Sequence, residues 1–251
     1  MEPLTNADLG TLAEGKDLND GVINHFFHLL QRRGQENDEK KKVMSFPTHF
    51  FVRWDRENAG YEGVASWVKE NPMIKDILFF PIHVDVGNGH WALIVARPQH
   101  RDIVSFDSLG LEHNRRMEQV KEFLEKDTRK RKRKSSQTSW STLNMLTACP
   151  QQKNTHDCGV FVCLFADLLM REQSLKTLQT LTSRELREIL KRKIKWMGLN
   201  QKKLPQKKKQ QPRVVAKQPI TKGPLFDKWV KRPSTQKSPI VGSNREGNVF
   251  S

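Results

Sequence analysis

A cysteine that attacks a carbonyl needs a favoured thiolate, a base beside it and a group that steadies the oxyanion of the tetrahedral intermediate. This 251-residue sequence offers a candidate for each. Cys158 lies between Asp157 and Gly159 and heads a run that is apolar nearly all round, Cys-Gly-Val-Phe-Val-Cys-Leu-Phe-Ala-Asp-Leu-Leu-Met. A thiol at a helix N-terminus feels the positive end of the dipole, which lowers its pKa. Gly159 lets backbone or substrate approach closely. His90 starts one apolar stretch and Asp107 ends the next, so antiparallel pairing brings both to one edge of a sheet. There the carboxylate can hold one imidazole nitrogen while the other faces the thiol. Gln152 lies six residues before Cys158, in the loop Pro150-Gln151-Gln152-Lys153-Asn154, where a side-chain amide can return to an oxyanion.

Taken singly, each residue has a plainer reading. A lone cysteine on an apolar helix is usually a core thiol, and Cys163, about 140° further round the helix, reads that way. Cys149 has no evident role. His83, His100, His113 and His156 read as surface or internally satisfied residues, and Asp107 alone would be a strand-end turn residue. No Cys/His set has metal-ligand spacing, and no cofactor is called for. Three widely spaced cysteines suit a reducing compartment better than a disulfide framework.

The elements that must position these residues follow an α+β order. A first helix begins after Asn19-Asp20, with Val22, Ile23, Phe26, Phe27, Leu29 and Leu30 on one face, and a polar loop follows over Arg32 to Lys42. A second helix contains Ala65-Ser66-Trp67. Three strands are expected over Ile77–Val84, His90–Ala96 and Ile103–Asp107, the first two apolar enough for a sheet buried on both faces. Met117, Val120, Phe123 and Leu124 mark a helix that runs into a basic loop at about 127–142. After the central helix led by Cys158, a capping box of Thr182 and Glu185 opens a last helix.

The net charge of +16 is unevenly placed. Residues 201–251 carry 13 basic and 2 acidic residues, and Arg129-Lys130-Arg131-Lys132-Arg133-Lys134 adds six more cations, so the remaining body is nearly neutral. The expected organisation is a catalytic domain over 1–198 and a basic, Pro-rich tail over 199–251 with too little apolar surface to fold. Within that tail Leu225-Phe226-Asp227-Lys228-Trp229-Val230 is an apolar island that reads as incidental. Basic appendages suit anionic partners, a nuclear-import receptor or nucleic acid among them, although only charge supports the latter. No stretch approaches the roughly 18 apolar residues of a membrane span, and the N-terminus lacks a signal pattern. The nucleus, with the cytoplasm, is the expected location.

The ordered set of motifs resembles the SUMO/sentrin-specific protease family. The resemblance rests on Gly89-His90-Trp91-Ala92-Leu93, Phe106-Asp107-Ser108-Leu109-Gly110 and Pro150-Gln151-Gln152-Lys153-Asn154-Thr155-His156-Asp157-Cys158-Gly159. Leu18-Asn19-Asp20-Gly21-Val22-Ile23-Asn24 and Tyr61-Glu62-Gly63-Val64-Ala65-Ser66-Trp67 extend it, over residues 4–197 altogether. It implies a papain-like α+β fold with a central mixed sheet and a buried helix starting at the catalytic cysteine. It also implies a His90–Asp107–Cys158 triad with Gln152 in the oxyanion hole. The activity implied is cleavage after the Gly-Gly terminus of a ubiquitin-like modifier such as SUMO, held in a narrow tunnel roofed by tryptophans. Trp91 matches one roof residue, and Asp20 matches an acid that faces the modifier. Two positions depart from the pattern: Asp17 stands where the family has a second roof tryptophan, and Thr155 where it has glycine. The alternatives are a same-clan peptidase acting on another modifier or on a viral or mobile-element polyprotein, and a non-catalytic binding module.

Overall fold

The computed structural model describes residues 3–36, 41–87, 89–131 and 139–201. The expected tail over 199–251 lies outside the described residues beyond Gln201, as does the apolar island 225–230. The sheet has five strands in spatial order β1 to β5: β1 (Val43–Ser45), β2 (Ile77–Val84), β3 (His90–Arg97), β4 (Asp102–Phe106) and β5 (Ser141–Asn144). The central strands pair antiparallel, β2 with β3 and β3 with β4, while β1 and β5 add to the edges in parallel. The sheet is therefore mixed.

Both faces are covered, as the apolar density of β2 and β3 demands. On one face Leu78, Phe80, Ile82, Ala92, Ile94 and Ile103 join a cluster with Phe46, Phe50 and Phe123. Phe50 belongs to α3 (Phe50–Asp55) and Phe123 to α5 (Asn114–Lys130). Phe80 stacks on Phe46 at 4.1 Å, and Phe50 meets Phe123 edge-on at 5.3 Å. Burying each such ring stabilises the fold by about 1.5–3 kcal/mol. The other face carries α2 (Asp20–Glu36) and α6 (Cys158–Met170): Phe79 meets Phe27 of α2, and Phe106 meets Phe165 of α6. Every residue of α6 is buried, since α2, α7 (Ser183–Gln201) and the sheet surround it. Two short helices, α1 (Asn6–Gly10) and α4 (Gly60–Val64), complete the set.

Several boundaries differ from the sequence reading. The loop expected from Arg32 is helical through Glu36, because Arg33 reaches the buried Asp167 of α6 and lies over the Trp196 ring of α7. The basic loop expected over 127–142 is shorter: α5 continues to Lys130, and β5 begins at Ser141. Asp127 accepts from Tyr61 and Arg131, and the Thr128 hydroxyl donates to the Leu124 carbonyl, so these polar residues extend the helix. The helix expected around Ala65-Ser66-Trp67 is a single 3-10 turn following α4. The Thr182–Glu185 capping box forms as expected, each residue's backbone N–H bonding the other's side chain.

Candidate functional site

The site lies where the ends of β3 and β4 meet the start of α6. Antiparallel register sets Leu93 opposite Phe106, so His90 and Asp107 arrive at the same sheet edge. His90 Nε2 is 3.0 Å from each carboxylate oxygen of Asp107. Both residues are almost fully buried, at 2% and 1% exposure. With Nε2 engaged, Nδ1 is the ring nitrogen left to face Cys158, which lies near enough to raise the His90 pKa.

Electrostatics follow from this packing. Burial disfavours a charged ring, but the hydrogen bonds to Asp107 and Cys158, with the carboxylate charge, push His90 up to about 9. Burial likewise disfavours the Asp107 carboxylate. Hydrogen bonds from His113 and His90 and the backbone N–H of Leu109 outweigh it and hold the group well below the usual carboxylate range. Burial pushes Cys149 up to about 11 and Cys163 higher still, which disfavours both as thiolates. Cys163 sits in the core, as the helical spacing indicates.

Cys158 begins α6 with Asp157 at the N-cap position, yet the Asp157 side chain makes no cap bond. It accepts instead from Asn154 Nδ2 at 2.7 Å and Arg187 Nε at 2.9 Å. Burial works against its ionisation, but these partners and Ser183 keep it lowered. Arg187 is only 1% exposed. Its other N–H groups donate to the carbonyls of Thr11, Ala13, Lys16 and His156, tying α7 and the N-terminal segment to the cysteine loop. Sequence reading passed over Arg187, although it falls on the apolar stripe of α7 with Leu186 and Leu190, an unusual place for an unpaired guanidinium.

Gln152 is held by the segment that carries Asp107. Its Oε1 accepts from Ser108 Oγ at 2.6 Å, and its backbone N–H donates to the Ser108 carbonyl at 2.9 Å. One Nε2 hydrogen goes to the Asn154 carbonyl at 2.6 Å, which leaves the second for a substrate. Asp107 and Ser108 are thus adjacent residues whose side chains orient, respectively, His90 and Gln152. Thr155 is not among the described residues with positive φ, so the loop does not need the glycine found there in the family pattern.

Beside this edge, Asp17, Leu18, Asn19, Asp20, Gly21, His83, Gly89 and Trp91 line a pocket of about 450 Å³. Trp91 Nε1 donates to the Leu18 carbonyl at 2.9 Å, and His83 packs edge-on against its ring at 4.6 Å. Gly159 lets this wall come close, since a Cβ there would stand 2.9 Å from Leu18 Cβ. Asp17 and Asp20 are exposed on the rim. Among the described residues no His, Cys, Asp and Glu group could hold a metal ion, and no helix is long and apolar enough to cross a membrane.

Sheet, buried cysteine-led helix and edge-on His–Asp pair together define the papain-like cysteine peptidase fold. The chain belongs to the Ulp1 protease family, whose C-terminal catalytic domain matches residues 16–207. Human sentrin-specific protease 5 is 35% identical over 168 residues, which are 66% of this chain and 21% of that protein. Human sentrin-specific protease 2 is 31% identical over 205 residues, 80% of this chain and 33% of the relative. The chain therefore spans a fifth to a third of the length of these curated relatives. Among solved structures, the Ulp1 protease domain in complex with SMT3, the yeast ortholog of SUMO, has a TM-score of 0.60 at 23% identity, covering 78% of this chain and 84% of that one. A SUMO protease Ulp1 with its catalytic cysteine oxidized to a sulfenic acid has a TM-score of 0.62 at 21% identity, covering 79% and 84%. These neighbours share the fold.

Proposed function

We propose that this chain is a thiol isopeptidase and endopeptidase that cleaves after the Gly-Gly terminus of a ubiquitin-like modifier, SUMO, releasing it from conjugates and maturing its precursor. The observation that carries the reading is His90 held between a buried carboxylate and the Cys158 thiol at the head of α6. The sulfur of Cys158 attacks the terminal glycine carbonyl while its proton resides on His90. Gln152 Nε2–H and a backbone N–H at the start of α6 receive the oxyanion. Collapse breaks the C–N bond, and His90 delivers its proton to the departing amine. A water molecule then attacks the thioester with His90 as base, which frees the glycine carboxylate and restores the thiol. Trp91 lines the path of the glycine pair, and Asp20 faces the modifier. The choice of SUMO is supported by the sentrin-specific and Ulp1 relatives.

The test is labelling by SUMO and by other ubiquitin-like proteins carrying C-terminal propargyl groups. SUMO should modify Cys158. Labelling by another modifier alone would move the chain to a different substrate within the same clan, and labelling by none would sink the peptidase reading.

The chain is further proposed to reach the nucleus through an import receptor that reads its basic segments. Arg129 and Lys130 end α5 and Arg131 caps it; Lys130 lies over the Tyr61 ring, and Arg131 bonds Asp127 and the Val68 carbonyl. Residues 132–134 and 202–209 lie outside the described residues. Changing Lys132, Arg133 and Lys134 to Ser in a fluorescent fusion should abolish nuclear accumulation without touching the Arg131 contacts. An unchanged nuclear signal there and in a tail deletion would dismiss the idea.

A further inference from the structure

We propose that His113 is a positioning residue for the reaction: it clamps the Asp107 carboxylate in the orientation that presents both oxygens to His90. The proposal rests on the peptidase reading above. Asp107 lies just beyond β4, in a turn closed by the Gly110 N–H on its own carbonyl, so no strand ladder fixes its side chain. Four contacts do so instead. The Leu109 N–H takes Oδ1 at 2.6 Å, His90 Nε2 sits 3.0 Å from each oxygen, and His113 Nε2 takes Oδ2 at 2.6 Å. The His113 contact is shorter than either contact to His90. Without it only one backbone donor would oppose rotation of the carboxylate away from the ring it serves.

His113 is itself held on the far side. It occupies the N-cap position of α5, is buried, and donates its backbone N–H to Asn144 Oδ1 at 2.9 Å. Asn144, in β5, also accepts from Ser105 Oγ and donates to Asn114 Oδ1, both at 2.6 Å. The polar chain Asn144–His113–Asp107–His90 therefore runs from the sheet edge to the reacting sulfur. Because Asp107 is ionised and can only accept, His113 must carry its hydrogen on Nε2. It touches neither Cys158 nor the pocket, so its influence passes through Asp107 alone.

The experiment compares His113→Gln, whose amide nitrogen can reach the position of Nε2, with His113→Met, of similar size but without a donor. On a SUMO precursor substrate, His113→Met should lower kcat by about 10- to 100-fold, the range for groups that orient a catalytic side chain at one remove, with KM within about two-fold. His113→Gln should recover to within about five-fold of the unaltered protein. In an Asp107→Ala background, adding His113→Met should change the rate by less than about two-fold, because the route is already cut. Alkylation of Cys158 by iodoacetamide should follow the same order and needs no modifier, so a wrong substrate assignment would not obscure it. Equal losses in the Gln and Met variants, an unchanged kcat in the Met variant, or effects that multiply in the double variant would each overturn the proposal.

Discussion

The catalytic edge and the pocket mouth sit side by side yet are built in opposite ways. At the edge, His90, Asp107 and His113 are buried, both histidines bond the Asp107 carboxylate, and the His113 backbone N–H donates to Asn144 of β5. At the mouth, Asp17, Asp20 and His83 are exposed, while Trp91 is anchored to the Leu18 carbonyl and Asn19 to Asp8 and the Val22 N–H. A carboxylate or imidazole in the first region cannot be exchanged without leaving buried donors and acceptors unmet. A rim residue in the second can be exchanged at little cost to the fold. Under the proposed function, the chemistry is fixed by the architecture, and selectivity by side chains the architecture tolerates.

The strongest way to break this contrast is to remove atoms from the edge. Cys158→Ser should abolish turnover while leaving modifier binding intact, and His90→Ala should cost several orders of magnitude, on the order of 10³–10⁶ in kcat. Single-turnover assays with calorimetric binding would check both. Loss of activity in Cys149 or Cys163 variants with survival of Cys158→Ser would reassign the nucleophile. A smaller effect is expected at Gln152, where alanine should lower kcat by roughly 10²–10³ with KM little changed. An effect confined to KM would remove Gln152 from the oxyanion hole.

The edge should also announce itself in the pH profile. His90 is raised above its ordinary value to about 9, so the stability its imidazolium contributes is complete below that ordinary value and is lost as pH rises through about 9. Asp107 is lowered, so its contribution is present above the ordinary carboxylate range and disappears only as pH falls through its depressed value. The rate kcat/KM should therefore fall on an alkaline limb near 9, as the leaving amine loses its proton donor. A limb near the ordinary histidine value would show that the Asp107 pair does not govern His90.

How far the sequence disclosed this site depends on how local each relationship is. The meeting of His90, Asp107 and Cys158 was legible because all three sit at element ends, where strand alternation and the apolar run announce them. The central strands were legible for the same reason. His113 and Arg187 were not, because their roles depend on partners brought together by the fold: Asp107 from a turn, and Asp157 and Lys16 from distant loops. Strand β5 was missed because Ser141–Asn144 is polar and partly exposed, without the alternation of a half-buried strand. The loops expected from Arg32 and from about 127 were misjudged because Arg33, Asp127 and Arg131 look like loop residues until their partners are seen.

The finest test of the contrast is at Asp17, where the resemblance leads one to expect a tryptophan roof over the glycine pair. Phe51 and Trp54, the aromatics that could offer a substitute, are buried in the cluster around α3 and do not line the pocket. His83 is the aromatic ring that packs on Trp91, from the β2 side, and Asp17 remains exposed on the rim. An aspartate there cannot cover a substrate backbone with apolar surface, and its charge stays hydrated. The mouth should accordingly grip the modifier terminus loosely and tolerate Ala in place of the penultimate Gly. Asp17→Trp should restore a contact of the size of one aromatic packing interaction, about 0.5–1.5 kcal/mol, or roughly a two- to ten-fold fall in KM. It should also widen the preference for Gly-Gly over Ala-Gly ends while leaving kcat on the native terminus nearly unchanged, since no edge residue moves. Equal discrimination by the two proteins would show that position 17 takes no part in the roof, and a fall in kcat would show that mouth and edge are not the independent regions their packing describes.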